Sequence, residues 1–404
     1  MPSRAQTIDE FLIPTDGFTP ISITAGPDGA LWFTGASGRI GRITTDGVIT
    51  EFTIPTAVSN PDSIVRGPDN ALWFTENQSN KIGRVTTLGV FTEFPIPTPN
   101  SGPQGITVGP DNALWFTERT AAKIGRITTA GVISEFGGLT PGSGPIRIAP
   151  GPDGNLWFTE INGNKIGRIT TAGFLTEFTI PTANSAPFGI TADSGGLWVT
   201  QRGNGKIARV TTTGVITEVG NLSNSSSPGD IAVGPDSNLW FSENGNGGNV
   251  GRMTPDGFVT LFPLLVPGQA EGMTAGPDGN MWFTDLTTSN RIGRVNLAPP
   301  PPTALVAAVL PNARAVLVGT PVTVSATVIN AGAAPAVQVG IALATLVPSS
   351  FGYWLLDTTV SPPQLVGAPN TPVDIPACVP PAPCPNKNFL LFMTPTGPFG
   401  PTEL

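Results

Sequence analysis

Carboxylates and guanidinium groups carry what chemistry this chain can do, because its 404 residues include no histidine and only two cysteines. Glu76, Glu118, Glu160 and Glu243, with Asp285 beside them, recur in copies of a Trp-Phe-Thr-Glu phrase. An arginine follows every copy, at Arg42, Arg84, Arg126, Arg168, Arg209, Arg252 and Arg294. A ring of carboxylates could gather a cation or move protons. Regular recurrence beside an arginine points instead to an ion pair inside each repeat, since a partly buried charge needs a partner.

Residues that vary inside a regular frame are better functional candidates. The position opening each repeat reads Ile21, Asp62, Gln104, Ile146, Phe188, Gly229 and Glu271. From this column Asp62, Gln104, Phe188, Gly229 and Glu271 are the candidate ligand-binding residues. Glu271 is also the candidate base, a role that requires burial to raise its pKa toward neutrality. Asn- and Gly-rich stretches at 77–80, 162–164 and 244–249 read as turns. No nucleophile elbow, phosphate loop or EF-type calcium loop occurs, so no cofactor is announced by motif. Cys378 and Cys384 lie six apart in CVPPAPC. Without histidine they make a poor zinc site, and a small-loop disulfide or two free thiols remain.

The elements that must position these residues follow from an internal repeat. Trp32, Trp73, Trp115, Trp157, Trp198, Trp240 and Trp282 stand 41 or 42 residues apart, each in a copy of GPDGxLWFTE. One unit continues through NKIGRITT and GVITEFTIPT, which gives four short strands separated by turns. The first turn is Asp-Gly or a relative (Asp28-Gly29, Asp69-Asn70, Asp153-Gly154, Asp278-Gly279), suited to a positive φ. A TTxG turn joins the third strand to the fourth at the same end. Seven such units predict an all-β, seven-bladed β-propeller, since the helical period of a solenoid is absent. The variable column then lines the channel entrance opposite the Asp-Gly turns, and the tryptophans pack between blades.

The seventh copy breaks off after Arg291–Val295, while residues 7–15 supply TIDEFLIPT with no strands before it. Together they complete one blade and remove an exposed edge. The reading is a propeller over 1–297, a polyproline linker at 298–302 and a small immunoglobulin-like β-sandwich over 303–404 with alternating segments at 322–328 and 336–343. The chain stops soon after TPTGPFGPT at 394–402, so a truncated last strand is expected.

Charged residues form only 12% of the chain, and Gly (50) with Pro (44) approach a quarter of it. Such a composition suits short strands and many turns. A net charge of -8 leaves no basic footprint for nucleic acid. No apolar run reaches about 18 residues, which argues against membrane insertion. Residues 1–10 show no signal-peptide pattern. A monomer is expected, in an extracellular or envelope setting in preference to the cytoplasm.

GPDGxLWFTE, NKIGRIT and ITEFxIPT together are very similar to the streptogramin B (virginiamycin B) lyases across roughly residues 7–297. The resemblance implies a seven-bladed propeller that linearises cyclic depsipeptides by elimination across an ester C–O bond, aided by Mg²⁺. The family's base is a histidine in Glu-Pro-His-Gly-Ile; here the stretch is Gln269-Ala270-Glu271-Gly272-Met273. Its metal-binding glutamates correspond to Gln269 and to the neighbourhood of Asp285. A second histidine, in a Pro-His motif, corresponds to Gly229 after Pro228. Both histidine positions are thus empty. The expected function is a binding or interaction module for a small molecule, peptide or glycan that requires no cofactor. The alternatives are a metal-assisted C–O lyase using Glu271, with Mg²⁺, and a structural cell-envelope module.

Overall fold

A computed structural model describes residues 6–222, 226–245, 248–286 and 290–297 and, beyond these, only the strands given below. The chain divides into two compact units, Met1–Leu297 and Ala298–Leu404. The first holds seven four-stranded antiparallel sheets arranged as a propeller.

Blade one runs Pro20–Ala25, Leu31–Gly35, Arg39–Ile43 and Ile49–Thr53 from the channel outward. Its second strand, LWFTG, is buried at every residue, as a strand packed between two neighbouring blades must be. Trp32, Trp73, Trp115, Trp157, Trp240 and Trp282 are fully buried and Trp198 nearly so. Trp32 packs with Ile64, Leu72 and Phe74 of the next blade. The tryptophans are therefore inter-blade core. Each indole N–H also donates to the Asp of its own first turn, as Trp73 does to Asp69 at 2.9 Å. In that turn Pro68 sits in the first corner and Asn70 adopts a φ of 57°, the left-handed conformation that Asn and Gly tolerate.

Blade seven is built from Ala270–Ala275, Met281–Asp285 and Arg291–Asn296 and is finished by Thr7–Leu12. Thr7 pairs with Asn296 and Leu12 with Arg291 in an unbroken antiparallel ladder. The two broken repeats do complete one blade.

A ring of hydroxyls locks the blades together. The innermost strand of every blade carries a register shift, for example between Pro103 and Ile106. There the Thr or Ser of the WFT phrase accepts from that strand's N–H and donates to a carbonyl of the next blade. Thr75 Oγ1 accepts from Ser63 N and donates to Gln104 O, and Thr200 accepts from Gly189 N and donates to Gly229 O. The carbonyls so used belong to the variable column. Bulges commonly re-aim side chains beside a site.

The expected ion pairs between WFTE glutamates and third-strand arginines do not form. Register separates them: Glu76 lies opposite Lys81, whereas Arg84 lies opposite Trp73, toward the other end of the strand. Arg42, Arg84 and Arg126 instead reach Asp28, Asp69 and Asp111 of the first turn, each at 2.7 Å. The glutamates are buried between strands instead of lining the channel. Burial and the facing Glu93 raise Glu76 to about 7. Burial and the facing Glu135 raise Glu118 to about 8.

In the second unit Ala308–Pro311, Val322–Val328, Lys387–Pro395, Phe351–Asp357 and Gln364–Val366 form a five-stranded sheet in that order. Ala336–Val339 pairs with Val373–Ile375, and Ala315–Val316 with Thr402–Glu403. The segment at 298–302 and the cysteines Cys378 and Cys384 lie outside the described residues.

Candidate functional site

The seven innermost strands border the channel, and the side chains that vary among them meet across it. Arg147 of blade four pairs with Asp62 of blade two at 2.8 Å, passing over blade three. Arg202 of blade five pairs with Glu271 of blade seven, its Nη2 lying 2.5 and 2.6 Å from the two carboxylate oxygens. Both guanidinium groups lie against the ring of Phe188. Arg202 Cζ lies 3.4 Å from its ring centre and Arg147 Cζ 4.8 Å from it, in the cation–π range. The arrangement gathers two guanidinium groups, a phenyl ring and their carboxylate partners from blades two, four, five and seven.

Three carboxylates, Asp62, Asp230 and Glu271, face these two cations. Asp230 accepts from the backbone N–H of Ile231 and of Met273. Burial raises its pKa, with Arg147 pulling the other way. Burial also disfavours a charge on Arg147, but Asp62, Asp230 and Glu271 outweigh it and its pKa is raised. Glu271 is only 6% exposed and takes a further hydrogen bond from Asn244 Nδ2 at 2.6 Å. Both its oxygens are engaged, so taking up a substrate proton would mean displacing Arg202 or Asn244.

Asp62, Phe188 and Glu271 therefore come together in one cluster. Gln104 contributes a carbonyl to the hydroxyl ring, and its side chain is half-buried. Gly229 contributes space: a Cβ there would lie 2.5 Å from Ser242 Oγ, 3.2 Å from Arg202 Nη2 and 3.5 Å from Glu271 Oε2. The column missed Arg147, Asp230, Arg202 and Asn244. For Arg147 and Asp230 the signal was one position away, where the sequence reads Ser22, Ser63, Gly105, Arg147, Gly189, Asp230 and Gly272, two charges among small residues; Arg202 and Asn244 stand just after the second strands of their blades, outside both columns.

The donor set for a divalent cation does not fit. Gln269 is exposed, and its backbone N–H donates to Asp285 Oδ1 at 2.9 Å. Glu271, between them in the column, is taken by Arg202 and Asn244. Among the described residues no group of three Cys, Asp or Glu side chains assembles that could hold a metal ion.

Fold and site together define a seven-bladed β-propeller whose innermost strands carry a cluster of two arginines and three carboxylates. The sequence model of the virginiamycin B lyase family matches residues 3–193 and 138–300, and the chain belongs to that family. A streptogramin B lyase structure is 38% identical, covers 72% of this chain and 98% of its own, and superposes with a TM-score of 0.69. Virginiamycin B lyase from Staphylococcus aureus is 37% identical, covers 73% of this chain and all of its own, and has a TM-score of 0.68. The same figures hold for a catalytically inactive histidine-to-alanine variant of that enzyme, solved with quinupristin. Among curated proteins none matches the chain.

Proposed function

We propose that this chain is a ligand-binding member of its family, which takes a small molecule, peptide or glycan at the channel mouth and does not open cyclic depsipeptides. The observation that carries this reading is the engagement of Glu271 by Arg202 and Asn244 where the resemblance places a catalytic histidine. An imidazole supplies a base near neutral pH with little perturbation; a carboxylate paired with a guanidinium and an amide is a weaker base, because both donors favour its charged form. Gly229 leaves the second histidine position without a side chain. The inactive variant solved with quinupristin supports a separation of binding from turnover in this fold.

A metal-assisted C–O lyase acting through Glu271 is the second reading. Identities of 38% and 37% over essentially the full length of two lyases favour it. On the preferred reading residues 303–404 form an immunoglobulin-like sandwich that presents a monomeric propeller in an extracellular or envelope setting. A five-stranded sheet within those residues supports the all-β part of this reading.

Hydrogen-exchange protection with a panel of cyclic depsipeptides, linear peptides and glycans tests the site. Protection at Pro61–Arg66, Pro187–Asp193 and Ala270–Ala275 is expected. Protection confined to the Asp-Gly turns would contradict it.

A further inference from the structure

We infer that Arg202 is the fixed cation of the channel mouth: its guanidinium balances Glu271 in place of any metal ion and uses the room left by the absent side chain of Gly229. The inference rests on reading the mouth as the ligand site, yet its test uses no ligand.

Three observations carry it. Arg202 is held from two directions, by the face of Phe188 at 3.4 Å and by both oxygens of Glu271. A guanidinium is planar and weakly hydrated, and so suits a stacked, partly buried ion pair better than an ammonium would. Secondly, both oxygens of Glu271 already accept hydrogen bonds. Asn244 holds the oxygen that Arg202 shares, and its backbone carbonyl accepts from Ser242 Oγ at 2.7 Å. Thirdly, the space is reserved. A Cβ at position 229 would lie 2.5 Å from Ser242 Oγ and 3.2 Å from Arg202 Nη2, so a side chain there would crowd the guanidinium, which takes the room that the missing Cβ leaves. Gly229 does not have a positive φ, which leaves space and not backbone conformation as the reason for glycine.

Breaking a buried ion pair by removing one partner costs far more than removing both, because a lone buried charge is left behind. Thermal melts of the full chain and of Arg202→Ala, Glu271→Gln and the double variant therefore test the pairing. Arg202→Ala should lower the melting temperature by several degrees, and adding Glu271→Gln should recover most of that loss. Additive losses would overturn the inference. Melts of the unaltered chain in millimolar MgCl₂, millimolar MnCl₂ and EDTA should coincide. A rise with either metal that EDTA reverses would also overturn it, because the cation place would then accept a metal with Arg202 present. Failure to find a ligand leaves both outcomes readable.

Discussion

Thr284 Oγ1 donates to the carbonyl of Ile21 at 2.8 Å, joining the last blade to the first across 263 residues of sequence. It is the closing member of the hydroxyl ring, and it stands beside the second closure made by the N-terminal strand. Phe11 of that strand stacks on Trp282 with ring centres 5.5 Å apart. Glu10 pairs with Arg291 at 3.0 Å.

Deleting residues 1–15 removes that strand and exposes the edge of Arg291–Asn296. The melting temperature should fall by several degrees, and the truncated chain should self-associate in sedimentation. A melt unchanged from the full chain would show that the hydroxyl ring alone closes the propeller.

Stability should depend on pH in an unusual direction. Burial and facing glutamates raise Glu76 to about 7 and Glu118 to about 8 from an ordinary value of 4.5. Burial likewise raises Glu160 to about 8, with Glu177 adding to it. The folded state then holds more protons than the unfolded chain, so this stabilisation is complete below 4.5 and is lost as pH rises through about 7 to 8. Burial pushes Glu177 upward, but hydrogen bonds from Thr140 and Lys165 hold it at about 2. Its contribution is present above 4.5 and is lost as pH falls toward 2. Calorimetry should find the highest melting temperature near pH 4 to 5 and a fall of several degrees by pH 9. Glu160→Gln should flatten that fall, because the amide stays neutral, as Gln201 already does at the same place in blade five. A melting temperature that climbs from pH 5 to 9 would refute the account.

Much of this was legible in the sequence, and the reason lies in repetition. Seven tryptophans at near-constant spacing fixed the blade count, and the unmatched TIDEFLIPT strand fixed how the ring closes. Asp62, Phe188 and Glu271 stood out because they vary where neighbouring positions do not. The pairings of Arg147 with Asp62 and of Arg202 with Glu271 escaped for a physical reason: each reaches past an intervening blade, a contact set by ring curvature that no local pattern records. Arg84 was assigned the wrong partner because sequence distance hides register. Glu76 and Arg84 share a blade yet lie near opposite ends of paired strands.

Arg147 faces three carboxylates and Asp62 only one cation in direct contact, so the two should differ in cost. Arg147→Met leaves Asp62, Asp230 and Glu271 less compensated and should cost about 3–5 kcal/mol, the range for breaking a buried pair. Asp62→Asn keeps a hydrogen-bond acceptor, and Arg147 retains Asp230 and Glu271; the loss should be smaller, about 1–3 kcal/mol. Urea denaturation of both variants measures the order, and the reverse order would contradict the charge assignment.

Removal of one aromatic side chain should be felt in both ion pairs. Phe188 is 4% exposed, and Phe188→Ala should cost about 3–5 kcal/mol as a cavity opens. Phe188→Leu keeps most of the volume but gives up the stacking face, so it isolates the cation–π contribution of about 0.5–2 kcal/mol. Equal losses for the two variants would show that volume and not stacking places the guanidinium groups.

The central claim is that this propeller binds without turning over, and mass spectrometry of a streptogramin B depsipeptide incubated with the purified full chain and MgCl₂ tests it most directly. General acid–base catalysis typically contributes about two to four orders of magnitude, so with Glu271 held by Arg202 and Asn244 the account predicts no linearised product above the enzyme-free control. Metal-dependent accumulation of the ring-opened product, abolished by Glu271→Gln, would contradict it.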